Sequence, residues 1–119
     1  MTNLCRILSC TGFLLTGVLP AFAASDGFID CNKAEKPDER AICADIKLVQ
    51  EDAHMVTLFK VATGLVGMGT RGDLQDTQIA WLETRHACKE DTACLRSAYV
   101  SRIERLQKVI DGVTARGPF

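Results

Sequence analysis

Apolar residues recur every three or four positions through most of the chain after Cys31, a spacing typical of amphipathic helices. A short first helix is predicted from about Pro37 to Cys43, because proline suits a first helical turn and the acidic residues after it favour the positive helix end. Strand signals are weak, since the chain has neither alternating apolar runs nor Asn-Gly hairpin turns. The pattern therefore predicts an all-α fold of about four helices.

A second helix is predicted from about Asp45 to Ala62. Its inward stripe consists of Leu48, Asp52, Met55, Phe59 and Ala62, flanked by Val49 and Val56. The segment TGLVGMGTRGD, residues 63–73, follows and contains four of the nine glycines. Glycine at this density disfavours helix, so a flexible loop is expected there.

The last two helices are predicted to form an antiparallel helical hairpin. The third helix starts near Asp73, a good N-cap residue, and the fourth begins near Asp91 or Thr92. Their inward stripes are Leu74, Gln78, Trp81, Leu82, Arg85 and Cys88 in the third helix, and Leu95, Tyr99, Arg102, Ile103, Leu106 and Ile110 in the fourth. The connection around Lys89-Glu90-Asp91 is so short that the two helices must run antiparallel.

The N-terminus has the pattern of a secretory signal peptide. An apolar run from Ile7 to Leu19 follows Arg6, and small residues at Ala21 and Ala23 form a cleavage pattern. The run is too short for a membrane span of about 20 residues. We therefore predict a signal peptide at residues 1–23 and a single helical domain at 24–119, located in the periplasm or secreted.

The cysteines predict two disulfides. Cleavage after Ala23 removes Cys5 and Cys10. Four cysteines remain, and an even number in a small exported chain favours disulfides. The pairing Cys31–Cys43 and Cys88–Cys94 is preferred, because each pair is close in sequence and a long helical region separates the two pairs. Each bond is expected to contribute roughly 2–3 kcal/mol to stability.

Zinc binding is the alternative role of the second cysteine pair. His86, Cys88 and Cys94 could supply three ligands. Structural zinc sites usually need four ligands, with pairs spaced as C-x2-4-C, and this spacing does not fit. A disulfide is therefore favoured over a metal site.

Three charged residues lie on otherwise apolar stripes: Asp52, Arg85 and Arg102. Buried charges need partners, so we hypothesise that Asp52 meets Arg85 or Arg102, with Gln78 nearby as a hydrogen-bonding partner. The alternative is that the long arginine side chains reach out to solvent.

No motif indicates catalysis. The chain lacks the H-E-x-x-H, G-x-S-x-G and dinucleotide-binding patterns, so we predict neither enzymatic activity nor a cofactor. Loss of Arg6 with the signal peptide leaves 13 basic and 15 acidic residues, a net charge of −2. This balance argues against nucleic-acid binding, and no second apolar run could span a membrane.

Two groups of residues resemble a known family. The first half contains Asp30-Cys31, Ala34, Glu39, Ile42-Cys43, Leu48 and Asp52. The second half reads Q-x-x-W-L-x-x-R-x-x-C from Gln78 to Cys88, then C-L-x3-Y-x2-R-I-x2-L from Cys94 to Leu106. Together these motifs resemble the LprI-type lysozyme inhibitor domain, a family of small exported bacterial helical proteins. The resemblance covers nearly all of the predicted mature chain, and the glycine-rich segment departs from it.

The resemblance implies a non-catalytic protein that binds lysozyme, with a c-type lysozyme as the candidate target. Lysozymes are often basic, so an acidic surface would steer association. The candidate contact residues are Glu35, Asp38, Glu39, Glu90 and Asp91. The alternative is an interaction or immunity module that binds another protein target and does not inhibit lysozyme.

Overall fold

The computed structural model describes residues 28–117, which fold into four helices and, within that range, no strands. The helices are α1 (Pro37–Ala44), α2 (Ile46–Leu65), α3 (Met68–Ala87) and α4 (Thr92–Thr114). The all-α prediction is therefore confirmed. The predicted signal peptide at residues 1–23, with Cys5 and Cys10, lies outside the described residues.

The three long helices run up, down and up, and α1 packs across one end. α4 makes its most extensive contacts with α2, to which it lies parallel. Arg96 of α4 donates to Asp45 at the start of α2 (Nη2–Oδ2 2.7 Å), and Arg40 of α1 approaches Glu90 of the α3–α4 turn (Nη2–Oε1 3.7 Å). We call this end, where α1, the start of α2 and the α3–α4 turn meet, the hairpin end.

The predicted stripes form the core. Every member of the predicted α2 stripe is buried, and the α3 stripe is buried except for the half-buried Leu82. In α4 the fully buried side chains are Leu95, Tyr99 and Leu106, while Ile103 and Ile110 are half-buried. Helical periodicity thus identified the inward face of each long helix.

Both predicted disulfides are present, Cys31–Cys43 with Cα atoms 5.6 Å apart and Cys88–Cys94 with Cα atoms 5.5 Å apart. The first ties the segment before α1 to the last turn of that helix. The second closes the turn between α3 and α4, which confirms the predicted antiparallel hairpin.

The start of α4 is also as predicted. Asp91 is its N-cap, and its carboxylate oxygen Oδ1 accepts hydrogen bonds from the amides of Ala93 and Cys94, each at 3.0 Å. Lys89, two residues earlier, has a positive φ of 52°, which reverses the chain direction over a very short turn.

The loop predicted at residues 63–73 is wrong. α2 continues to Leu65 and α3 begins at Met68, so only Val66 and Gly67 connect them. Arg71 stabilises this tight connection, because Nε donates to the Thr63 carbonyl (2.8 Å) and Nη2 to the Val66 carbonyl (3.2 Å). These bonds satisfy carbonyls at the end of α2, and Val66 also packs against the core.

Gly72 provides a test of this helical segment. It lies inside α3, and an added Cβ would meet no atom within 4 Å. Gly72→Ala should therefore raise the free energy of unfolding by about 1 kcal/mol, since alanine favours helix over glycine by that amount. Urea denaturation measures the change.

Gly67→Ala is the matched control, because Gly67 is the N-cap of α3 and alanine is a poor residue at that position. It should give no stabilisation. Equal effects of the two substitutions would contradict a helix boundary at Gly67.

Candidate functional site

Arg85 lies between two buried carboxylates from different helices. Its Nε donates to Asp38 of α1 (Oδ2, 2.9 Å), and its Nη1 is 3.9 Å from Oδ1 of Asp52 in α2. All three residues are almost fully enclosed, with 6% of Arg85, 1% of Asp38 and 2% of Asp52 exposed. One guanidinium therefore joins α1, α2 and α3 inside the protein.

Asp52 has two further partners. The hydroxyl of Tyr99 in α4 donates to Oδ1 (2.9 Å), and the backbone amide of Ile29 donates to Oδ2 (2.8 Å). Burial and the nearby negative charge of Asp52 raise the pKa of Tyr99, so its phenol remains a donor. The Asp52 carboxylate thus connects α4 and the N-terminal segment to the Arg85 centre.

Asp38 is shared between Arg85 and His86. Nδ1 of His86 lies 2.8 Å from Oδ2 of Asp38, and a carboxylate only accepts, so Nδ1 carries the proton. Nζ of Lys36 lies 3.1 Å from Nε2 of His86, and an ammonium only donates. His86 therefore bridges the buried Asp38 carboxylate and the exposed Lys36 side chain.

The pKa of Asp38 lies below its ordinary value. Burial alone would raise it, but the hydrogen bond from His86 and the positive charge of Arg85 together outweigh burial and lower it. Asp38 is therefore ionised at neutral pH. Two carboxylates face one guanidinium, and hydrogen bonds from His86, the Tyr99 hydroxyl and the Ile29 amide accommodate the second negative charge.

A second buried polar layer lies further along α3 and α4. Arg102 donates from Nε to Oε1 of Gln78 (2.8 Å), from Nη1 to the hydroxyl of Thr77 (3.2 Å) and from Nη2 to the carbonyl of Leu74 (3.2 Å). Burial, with a smaller effect of the Arg105 charge, lowers the pKa of Arg102 to about 10. It stays cationic at neutral pH and binds α4 to α3.

Trp81 packs between the two layers. Its ring meets Tyr99 edge to face with centroids 5.2 Å apart, and its Nε1 donates to the carbonyl of Ala98 (2.9 Å). The guanidinium of Arg85 lies 5.8 Å from the Trp81 ring centroid, within cation–π range. Within residues 28–117, every fully enclosed side-chain nitrogen and oxygen has a hydrogen-bond partner.

The predicted network is confirmed in part. Asp52 does meet Arg85, and Gln78 does bind a buried arginine, namely Arg102. The alternative, that the arginine side chains reach solvent, is wrong, since only 3% of Arg102 and 6% of Arg85 are exposed. The closest partner of Arg85 is Asp38, which the sequence pattern did not identify because α1 is too short to show a clear stripe.

The assignment of Asp38 to an acidic contact surface is therefore wrong, because α3 covers it and its carboxylate binds Arg85 and His86. Two other candidates hold helix ends: Glu39 accepts from the amides of Glu35 and Lys36 (3.0 Å each), and Asp91 caps α4. Glu35 and Glu90 remain as exposed carboxylates at the hairpin end.

The zinc alternative is contradicted by the disulfide, because two of its three ligands, Cys88 and Cys94, are bonded to each other. Over residues 28–117, no group of three or more His, Cys, Asp or Glu side chains is arranged to hold a metal ion.

Comparison with known proteins finds no matching family model, no matching curated protein and no matching solved structure. The resemblance to the LprI-type domain therefore rests on the motif residues themselves. In the fold the motif residues Gln78, Trp81, Arg85, Tyr99 and Arg102 are all buried, so they build the bundle and are not exposed to a partner. Among the helices of the described range, none is both long and apolar enough to cross a membrane.

Asp52→Asn tests the buried network. The variant loses the charge that Tyr99, Ile29 and Arg85 face, so the free energy of unfolding should fall by roughly 1–3 kcal/mol. Urea denaturation at neutral pH measures the loss. Asp76→Asn is the control, since Asp76 is exposed on α3, and it should change stability little. Equal stability of Asp52→Asn and the wild type would contradict the network.

Asp38→Asn tests the pH dependence. The pKa of Asp38 is lower in the folded state than in the unfolded state, where it is about 3.9. The stability that ionised Asp38 contributes is therefore complete above the unfolded-state pKa and is lost as the pH falls through the folded-state pKa. The wild type should therefore be more stable than Asp38→Asn near neutral pH, and the difference should narrow below about pH 4. A difference of constant size down to pH 2, in thermal denaturation, would contradict this role.

Proposed function

We propose that this protein is an exported, non-catalytic inhibitor that binds lysozyme through the hairpin end. The proposal combines the resemblance to the LprI-type domain with the geometry of the α3–α4 turn. It includes the periplasmic or secreted location predicted from the N-terminus, which agrees with the two disulfides, since such bonds persist in oxidising compartments.

The observation that carries the proposal is the rigidity of the turn from Cys88 to Thr92. The disulfide closes it, the Asp91 cap fixes the start of α4, and backbone bonds run from Asp91 N to the Cys88 carbonyl (3.0 Å) and from Lys89 N to the His86 carbonyl (3.1 Å). A projecting segment held in one conformation loses little entropy on binding. Rigid turns of this kind suit insertion into a cleft of a partner protein.

Exposed side chains at this turn supply the contact chemistry. The Lys89 and Glu90 side chains are exposed at its apex, and Glu35 is exposed on the neighbouring segment. The Glu90 side chain is 70% exposed and only loosely paired with Arg40 at 3.7 Å. A solvent-exposed carboxylate can therefore turn towards a basic partner at small cost.

A cell-wall lysis assay tests the proposal. Processed protein is mixed in molar excess with a c-type lysozyme, and the clearing of suspended bacterial cell walls is followed by turbidity. We expect slower clearing with increasing inhibitor, and Glu90→Lys should weaken inhibition by up to roughly tenfold, because it reverses a charge facing a basic enzyme.

Asp76→Lys is the matched control, because Asp76 is exposed on α3 about three helical turns before Cys88 and carries the same charge change. It should inhibit like the wild type. Full lysis at excess wild-type protein would reject inhibition of that enzyme and favour binding to another protein target. Equal losses in the two variants would reject the hairpin end as the contact surface.

A further inference from the structure

The end of the bundle opposite the hairpin end has an unusual surface. The ten residues between Lys60 and Arg71 carry no charge. Three apolar side chains project from this region, with Val61 43%, Leu65 46% and Met68 86% exposed. Val61 and Leu65 are one helical turn apart on α2, and Met68 begins α3 immediately after the tight connection. We call these three residues the apolar tip.

Basic side chains lie beside the apolar tip. Arg71 is held against the α2–α3 connection by its bonds to the Thr63 and Val66 carbonyls. Lys108 and Arg116 of the α4 end line a surface hollow of about 340 Å³, whose apolar side includes Leu65 and Val66. Lys60 precedes Val61, and its ammonium lies 5.1 Å from the centroid of the exposed Phe28 ring. We call Lys60, Arg71, Lys108 and Arg116 the basic collar.

The region around the apolar tip differs in net charge from the rest of the described chain. Residues 60–73 and 105–117 carry five basic side chains (Lys60, Arg71, Arg105, Lys108, Arg116) and two acidic ones (Asp73, Asp111), a net charge of +3. The other described residues carry eight basic and twelve acidic side chains, a net charge of −4. The residues around the apolar tip therefore carry a net positive charge, whereas the rest of the described chain carries a net negative one.

We propose that the apolar tip and basic collar dock this protein onto an anionic phospholipid surface. Projecting apolar side chains with cations beside them suit a bilayer interface, where apolar side chains enter the headgroup boundary and basic ones meet lipid phosphates. The hollow beside Leu65 places Lys108 and Arg116 where a phosphate group would lie, with apolar side chains next to it for the acyl chain.

Two features of the tip argue against a second copy of the chain as its occupant. Two tips facing each other would bring a net charge of +3 against +3, which is repulsive. Three projecting side chains also form a much smaller patch than the roughly 800 Å² per partner that stable protein interfaces bury. An anionic bilayer has the opposite charge and requires only shallow insertion. This proposal is independent of lysozyme binding, because it concerns the other end of the bundle.

Vesicle co-sedimentation tests the proposal. The sample is the protein without its predicted signal peptide, which retains both disulfides and all four described helices. The vesicles are an equal mixture of phosphatidylglycerol and phosphatidylcholine, and pure phosphatidylcholine is the comparison. We expect binding to the anionic vesicles, much weaker binding to the neutral ones, and release as sodium chloride is raised, because salt screens the attraction.

Paired variants test which residues are responsible. Lys108→Gln with Arg116→Gln should weaken binding roughly 25-fold, since each cation near an anionic leaflet contributes roughly fivefold. Met68→Ser should weaken it severalfold. The control for the cation pair is the double variant Lys47→Gln with Lys89→Gln, which removes two exposed cations from the hairpin end. The control for Met68→Ser is Ile46→Ser, which removes a 69% exposed apolar side chain from the same end. The controls should bind like the wild type, and circular dichroism checks that every variant is folded.

Three outcomes would overturn the proposal. The first is absence of binding to the anionic vesicles, and the second is an equal loss in the tip variants and the hairpin-end controls. The third is that vesicle binding is absent and light scattering shows a dimer, which Met68→Ser abolishes. That result would assign the tip to a second copy of the chain.

Discussion

The fold depends on the placement of one guanidinium, that of Arg85. Asp38 and Asp52 are buried on α1 and α2, and a buried carboxylate is costly unless a cation and hydrogen-bond donors reach it. Tyr99 adds α4 to the same centre through Asp52. A slide of α3 by one helical turn, about 5.4 Å, would separate Arg85 from both carboxylates. The relative positions of all four helices are therefore tied to this ionic centre.

The residues that carry the family resemblance are those that build this interior. Gln78, Trp81 and Arg85 on α3 face Tyr99 and Arg102 on α4, and none of them is open to a partner. The motif therefore describes how the helices pack. Differences in target among proteins with such a motif would arise from exposed positions, such as the apex of the α3–α4 turn, which the packing leaves free to vary.

The two ends of the bundle differ in rigidity and in charge. Both disulfides and α1 strengthen the hairpin end, where polar and charged side chains are exposed. The other end has a two-residue connection, an uncharged surface and a surrounding set of cations. α2 alone, with 20 residues, separates the ends by about 30 Å. A protein docked on a membrane by one end would present the other to a partner in solution.

The sequence by itself determined the number of helices, the inward face of each long helix and the disulfide pairs, because periodicity and cysteine spacing are local properties of the chain. It also predicted that Asp52 meets Arg85 or Arg102, since charges on apolar stripes need partners. Only the tertiary structure decided that Asp38 is buried, because the packing of α3 over α1 cannot be inferred from a helix of eight residues. Tertiary structure likewise made residues 63–73 largely helical. Each glycine disfavours helix by about 1 kcal/mol. That preference is outweighed by the hydrogen bonds from Arg71 to backbone carbonyls and by the packing of Val66 and Leu74 against the core.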